Sequence, residues 1–152
     1  ALAGRLAPGG TLALVEGGLP WRCLPRDFGF GRPGLQARGD ALDEDWFAEM
    51  RDGLPDAKQD TEDWAALMTD AGLTGATSRT FLLDLPAPLS PDARELVVGL
   101  WQRRRDNFTP DVPSDDAETV ARLLDPQDPQ GLHQREDLFL LAAHTVHVAV
   151  KA

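Results

Sequence analysis

The feature that most constrains this chain is the segment 8–15, which reads Pro-Gly-Gly-Thr-Leu-Ala-Leu-Val. Proline lacks a backbone donor and glycine tolerates positive φ, so the Pro-Gly-Gly triplet predicts the end of a helix over residues 1–6. The run Thr11–Val15 is apolar or β-branched throughout instead of alternating, which is typical of an inner strand covered on both faces. The segment therefore predicts a helix tail, a tight stop and a buried strand.

A second helix-to-strand junction lies around Gly72. Apolar side chains before it recur with helical spacing: Trp64, Leu67, Met68 and Ala71. They predict a helix over residues 62–71, capped by Asp60 or Thr61 and ended by Gly72. A strand over residues 76–83 follows. Because a helix joins the two predicted strands, we expect a parallel β-α-β crossover between them.

The rest of the chain predicts a long loop, three more helices and a last strand. The loop is residues 17–40, which hold three prolines and six glycines. Capping signals place the helices: Asp43 for residues 43–53, Ser90-Pro91 for residues 90–105, and Asp115 with Glu118 for residues 116–124. The side chains expected to point inward from the second of these helices are Leu96, Val97, Leu100 and Trp101. Residues 137–150 predict the last strand.

Charge and apolar runs exclude two classes of partner. The chain carries 25 acidic and 15 basic side chains, a net charge of −10, and an acidic surface repels nucleic-acid phosphates. Its longest apolar run, Leu138–Ala143, is far shorter than the roughly 20 residues of a membrane span. The lone Cys23 forms no internal disulfide, which suits a reducing compartment. We therefore expect a cytoplasmic protein that binds neither nucleic acid nor membranes.

These segments resemble class I S-adenosylmethionine-dependent methyltransferases of the actinobacterial type. Residues 5–16, Arg-Leu-Ala-Pro-Gly-Gly-Thr-Leu-Ala-Leu-Val-Glu, are similar to the family's L-x-PGG-x-L-x-φ-x-E segment, which leads into its fifth strand. The helix ending Ala71-Gly72-Leu73 is similar to the L-x-x-AGF helix before the sixth strand. The last strand, through residues 145–150, then corresponds to the seventh, antiparallel strand.

The resemblance implies an α/β fold: the C-terminal half of a Rossmann-like methyltransferase fold. We expect a three-strand mixed sheet, with two parallel strands and an antiparallel last strand, and with helical insertions. Residues 1–152 would be the C-terminal part of a single methyltransferase domain, with residues 17–60 as a lid-like insert and residues 90–136 as a helical insert.

The cofactor fingerprint of the family is missing from this sequence. That fingerprint is a glycine-rich turn after the first strand and an acidic residue that ends the second. Gly29-Phe30-Gly31 looks superficially similar, but no helix follows it at once and Pro33 intervenes. We therefore expect S-adenosylmethionine to bind mostly to a half of the fold upstream of residue 1, and this chain alone to be catalytically inert.

The resemblance implies that this half shapes the site of the acceptor substrate. Glu16 ends the first predicted strand, and open α/β sheets bind ligands at such ends. Trp21, Arg22, Arg32 and Arg38 are candidates for clamping a flat or anionic acceptor, because tryptophan offers a stacking face and arginine a planar fork. The alternative is that Glu16 only begins a loop and that the arginines pair with local carboxylates, which are Asp27, Asp40 and Asp43.

No catalytic residue is assigned from the sequence. His144 and His147 are three residues apart in a predicted strand, so they point to opposite faces and cannot share a metal ion. Cys23 lies beside Arg22 and Arg26, which would lower its thiol pKa, but the surroundings do not favour a nucleophilic role.

The expected function is methyl transfer from S-adenosylmethionine to a small-molecule acceptor, with this chain supplying the substrate side. The alternative is a non-catalytic dimerisation or partner-binding module, a homo-oligomer whose chains pair along the strand Thr11–Val15. A third possibility is an α/β domain of another nucleotide-binding family, because strand and helix order alone does not fix function.

Overall fold

A computed structural model describes residues 2–55, 63–107 and 111–152. The first element is a short 3-10 helix over Leu2–Arg5. The strands and helices then follow in this order: β1 (Thr11–Arg22), α1 (Leu35–Asp52), α2 (Trp64–Asp70), β2 (Leu73–Leu85), α3 (Pro91–Asp106), α4 (Ser114–Leu123) and β3 (Leu140–Lys151).

Within the described residues, three strands form one sheet in the order β1-β3-β2. Gly9 and Gly10 exchange backbone hydrogen bonds with Lys151, and Glu16 lies beside His147, so β1 and β3 run in opposite directions. The side-chain contacts Ser78–His147 and Thr80–Thr145 show the same for β2 and β3. The predicted mixed sheet with a parallel pair is wrong, because the last strand lies between the other two and both ladders are antiparallel.

The predicted loop over residues 17–40 is also wrong at both of its ends. β1 continues to Arg22, and α1 begins at Leu35 instead of Asp43. Gly34, with a left-handed φ of 86°, precedes the helix, and the first two helical side chains, Leu35 and Gln36, are buried. Burial of this first turn outweighs the local capping signal at Asp43. The predicted end of the helix at Gly53 is confirmed.

The junction around Gly72 is confirmed. Gly72 has a φ of 81°, and Leu73, the first residue of β2, is almost fully buried. The N-cap of α2 is Asp63, whose side chain accepts a hydrogen bond from the backbone N–H of Ala66 at 3.0 Å. The predicted caps, Asp60 and Thr61, lie outside the described residues.

The two helices of the second half differ in how well capping signals predicted them. Ser90 caps α3 as expected and accepts a hydrogen bond from the N–H of Ala93. Leu96 is exposed, however, and Val98 is buried in its place. In α4 the predicted capping box does not form, because the N-cap is Pro113 and makes no side-chain capping bond.

The described residues divide into two compact units. The sheet unit comprises residues 2–20, 63–83 and 142–152, and the core unit comprises residues 21–55, 84–107 and 111–141. Fourteen buried hydrophobic residues form one cluster in the core unit, whereas three do so in the sheet unit.

The sheet unit corrects a further expectation, that the strand Thr11–Val15 is covered on both faces. β1 is an edge strand of the described sheet, with Leu12 and Leu14 half-buried on one face and Val15 exposed on the other. An apolar run thus indicated a strand correctly but not its position in the sheet.

Candidate functional site

A cavity of about 230 Å³ lies in the core unit, where β1 ends and α1 begins. It is lined by a loop and the first turn of α1: Arg22, Leu24, Pro25, Arg26, Phe28, Gly34, Gln36 and Ala37. Apart from Gly34, the lining thus combines apolar side chains with two arginines and the amide of Gln36. Such a mixture suits a small molecule that has an apolar body and an acidic group.

Hydrogen bonds from a buried amide hold the wall of the cavity. Gln36 accepts from the backbone N–H groups of Cys23 and Leu24 at 3.2 and 3.1 Å, and donates to the carbonyl of Trp21 at 3.3 Å. The N–H of Gly34 donates to the carbonyl of Arg26 at 2.7 Å. The loop is therefore tied at both ends to the first turn of α1.

The two arginines of the cavity differ in their partners. Arg22 forms an ion pair with Asp40 at 2.6 Å and also donates to the carbonyl of Trp21. The guanidinium of Arg26 has no hydrogen-bond or ion-pair partner among the described residues. An unpaired guanidinium beside a cavity is suited to a carboxylate or another planar anion.

Trp21, a predicted acceptor contact, is packed inside the core unit. Its ring meets that of Trp101 edge to face, with centroids 5.5 Å apart, and the guanidinium of Arg104 lies 5.0 Å from its centroid. Both neighbours belong to α3, so these contacts join the end of β1 to that helix.

Arg32 and Arg38, also predicted acceptor contacts, converge on one buried carboxylate, Asp116 of α4. Arg38 binds both of its oxygens at 2.7 Å, and Arg32 lies 3.4 Å from one of them. The hydrogen bonds from Arg38 hold the pKa of Asp116 below its ordinary value and raise the pKa of Arg38. The partner lies 78 residues along the chain from Arg38, and the local carboxylates considered from the sequence play no part in this pair.

The fifth predicted site residue, Glu16, belongs to the sheet unit and lies in a row of polar side chains. Its Oε1 is 3.0 Å from His147 Nε2, and His147 Nδ1 is 2.7 Å from Ser78 Oγ. Trp64 donates its indole N–H to Glu16 Oε2. Sequence reasoning missed His147, Ser78 and Trp64, because their juxtaposition depends on strand order and register.

The lone cysteine is a packing residue, contrary to the expectation of a lowered pKa. Cys23 is fully buried, and burial raises the pKa of its thiol to about 12. The indole N–H of Trp101 donates to its sulfur at 3.2 Å. Desolvation outweighs the charges of the neighbouring arginines, so the thiolate that a nucleophile requires is disfavoured.

The histidines lie as their spacing indicates, with His144 exposed and His147 buried. In the part of the chain that the structure describes, no group of three His, Cys, Asp or Glu side chains is placed to hold a metal ion.

The glycine-rich stretch Gly29-Phe30-Gly31 is not shaped to hold S-adenosylmethionine. In the only sequence resembling a cofactor loop, Gly29 and Gly31 have positive φ, but a Cβ on Gly31 would lie 2.6 Å from Thr119 of α4. The loop is therefore filled by protein side chains instead of opening towards a ligand, and Phe28 and Phe30 pack edge to face within it.

Comparisons with known proteins identify no relative of this chain. No protein-family model matches it, and no curated protein matches it. No helix in residues 2–55, 63–107 or 111–152 has the length and hydrophobicity to cross a membrane.

Proposed function

We propose that this chain is the acceptor-binding part of a cytoplasmic S-adenosylmethionine-dependent methyltransferase that acts on a small molecule. The observation that carries the proposal is the cavity beside Arg26, whose guanidinium has no partner within residues 2–55, 63–107 and 111–152. It lies in residues 22–37, inside the insert that the family resemblance assigns to the acceptor.

The positions of two junctions support the same proposal. Pro8-Gly9-Gly10 directly precedes β1, and Gly72 directly precedes β2, so both segments that carry the resemblance form helix-to-strand junctions. The proposal does not use the loop around Gly29 and Gly31 for the cofactor, because Thr119 occupies the space beside Gly31.

In this account the chain binds and orients the acceptor. Leu24 and Phe28 offer apolar surface to the body of the acceptor, while Arg26 pairs with an acidic group on it. S-adenosylmethionine would supply the methyl group. Holding an acceptor atom in the approach geometry is the main contribution that such a transfer needs from the protein, so no strong acid or base is required in the cavity.

Calorimetric titration of the full-length gene product with S-adenosylmethionine tests the class of reaction, and an absence of binding rejects it. The cavity is tested separately with benzoate, a small aromatic carboxylate, followed by amide chemical shifts of the folded chain. We expect benzoate to shift Gly34 and Ala37, and Arg26→Gln to abolish the shifts. Arg103→Gln is the matched control, since Arg103 is exposed on α3, outside the cavity.

A second candidate function, a dimerisation or partner-binding module, is favoured by one observation. Both edge strands of the described sheet expose large apolar side chains: Val15 and Leu19 on β1, and Phe81, Leu82 and Leu83 on β2. Light scattering of the 152-residue chain separates the two candidates. A dimer that dissociates on Val15→Lys supports the module, and a monomer across the micromolar range rejects it.

A further inference from the structure

A row of three polar side chains crosses one face of the sheet unit, one from each strand. Glu16 stands on β1, His147 on the central β3 and Ser78 on β2. The contacts are short: 3.0 Å from Glu16 Oε1 to His147 Nε2, and 2.7 Å from His147 Nδ1 to Ser78 Oγ. The imidazole is thus held between a carboxylate and a hydroxyl.

The chemistry of the two ends decides where the proton of the neutral imidazole lies. A carboxylate only accepts hydrogen bonds, so His147 donates from Nε2 to Glu16. Nδ1 then carries a lone pair and accepts the O–H of Ser78. This is the arrangement in which a histidine acts as a general base towards a serine hydroxyl and a carboxylate stabilises the imidazolium that results.

Trp64 fixes the carboxylate end of the row. Its indole N–H donates to Glu16 Oε2, the oxygen that does not bind the histidine. Its ring lies over the imidazole, with centroids 5.5 Å apart and planes inclined by 31°. Glu16 and His147 are therefore held in one geometry by a residue of α2.

Exposure differs along the row in the direction that catalysis requires. His147 is 6% exposed, whereas Ser78 is exposed on β2, an edge strand of the described sheet. The base is thus shielded from water while the hydroxyl is open to an incoming carbonyl. In the described sheet, alternate N–H groups of an edge strand also have no strand partner, and such groups can donate to a developing oxyanion.

We propose that Ser78 is a nucleophile that takes an acyl group from activated esters, with His147 as its general base and Glu16 as the residue that orients the base. Ser78 Oγ bonds to the ester carbonyl carbon as His147 Nδ1 takes the hydroxyl proton. The bond from carbon to the leaving alkoxide breaks, and that alkoxide receives the proton. Water then attacks the carbonyl carbon of the serine ester as His147 Nδ1 takes one of its protons. The bond from that carbon to Ser78 Oγ breaks, Oγ receives the proton from Nδ1, and the carboxylic acid leaves. This site shares no residue with the proposed acceptor cavity.

The same strand provides a matched control. Thr80 lies two residues beyond Ser78 on the same face, and its hydroxyl contacts that of Thr145 at 3.0 Å. It is an exposed hydroxyl without an imidazole partner among the described residues. A reaction at Ser78 that is absent at position 80 of Thr80→Ser is therefore attributable to His147.

The first experiment treats the folded chain with a fluorophosphonate probe and locates the label by peptide mass spectrometry. We expect labelling at Ser78, loss of it in Ser78→Ala, and no change in Thr80→Ser. Glu16→Gln should slow it at least tenfold, because the amide donates to Nε2 and forces the proton onto Nδ1. Labelling at Ser78 no faster than at Ser90, or retained in full by Glu16→Gln, overturns the proposal.

A second experiment keeps the proposal falsifiable if a variant at Glu16 misfolds. Ser78→Cys and Thr80→Cys each place one thiol on the same face of β2, and buried Cys23 stays silent in the folded chain. We expect iodoacetamide to alkylate Ser78→Cys at pH 7 at least tenfold faster than Thr80→Cys, because a neighbouring imidazole promotes the thiolate. Equal rates in the two folded variants overturn the assignment of His147 as a base.

Discussion

The two compact units use buried polar groups in opposite ways. In the core unit, Asp116 is saturated by Arg38 on both oxygens, beside a cluster of fourteen buried hydrophobic residues. In the sheet unit, the row from Glu16 to Ser78 ends at an exposed hydroxyl, and the cluster of buried hydrophobic residues described there has three members. A closed polar pair holds elements together, whereas an open row leaves a group that can react.

The largest expected effect tests the core unit. Trp101→Ala removes a ring that is 1% exposed and packs against Trp21, and should lower the free energy of unfolding by about 3–5 kcal/mol. Thermal unfolding followed by circular dichroism measures it. Trp46→Ala is the control and should cost less than about 0.5 kcal/mol, because Trp46 is 58% exposed. Equal losses would show that the core is not centred on Trp101.

The second prediction uses Cys23 to report opening of the core unit. Burial raises the pKa of its thiol from 9.0 to about 12, a difference of about 3, so the folded chain holds roughly 10³-fold fewer thiolates at pH 8. Disulfide exchange with an aromatic disulfide reagent should therefore be very slow in the folded chain and fast in guanidinium chloride. Comparable rates in both conditions would contradict the buried position.

The third prediction concerns the closed polar pair. Asp116→Asn should cost roughly 2 kcal/mol, because Arg38 loses charged hydrogen bonds. The pKa of Asp116 is lowered in the folded state, so its stabilising effect is present above the unfolded pKa of about 3.9 and is lost as the pH falls through the lower folded value. Below about pH 4, the free energy of unfolding should therefore fall less steeply with decreasing pH in Asp116→Asn than in the wild type.

The control for that pair is Asp115→Asn, one residue away and 60% exposed. It should change stability by less than about 0.5 kcal/mol and leave the acid dependence intact. If the free energy of unfolding depended on pH in the same way in wild type and Asp116→Asn, the ion pair with Arg38 would not stabilise the folded chain.

The smallest expected effect tests the exposed face of the sheet unit. Leu82→Lys replaces a side chain that is 64% exposed and should change the free energy of unfolding by less than about 0.5 kcal/mol. Urea unfolding at low micromolar concentration measures it. A loss above about 2 kcal/mol would show that another surface covers Leu82. That result would support the dimerisation or partner-binding module.

Local chemistry determined which elements were predictable from the sequence. Gly72 and Ser90 act within one helical turn, and both were placed correctly. The start of α1 was missed because burial of Leu35 and Gln36, a tertiary effect, outweighs a capping signal. Strand order was missed because β1 and β3 pair across more than a hundred residues, and no local pattern encodes that pairing.

In the candidate site, too, local features could be predicted from the sequence and long-range pairing could not. The apolar and arginine-rich composition of residues 21–38 predicted contacts to an acceptor, which stays a prediction, and a cavity lies in the same segment. Which arginine is unpaired could not be read from composition. Arg38 pairs with Asp116 of α4, while Arg26 has no partner among the described residues.

We propose that a small molecule held beside Arg26 receives a methyl group, and one measurement tests this directly. The full-length gene product is incubated with radiolabelled S-adenosylmethionine and a pool of small metabolites, alongside its Arg26→Gln and Arg103→Gln variants. We expect label in the low-molecular-weight fraction for the wild type and Arg103→Gln, and at least tenfold less for Arg26→Gln. No transfer by the wild type, or equal transfer by Arg26→Gln, would contradict it.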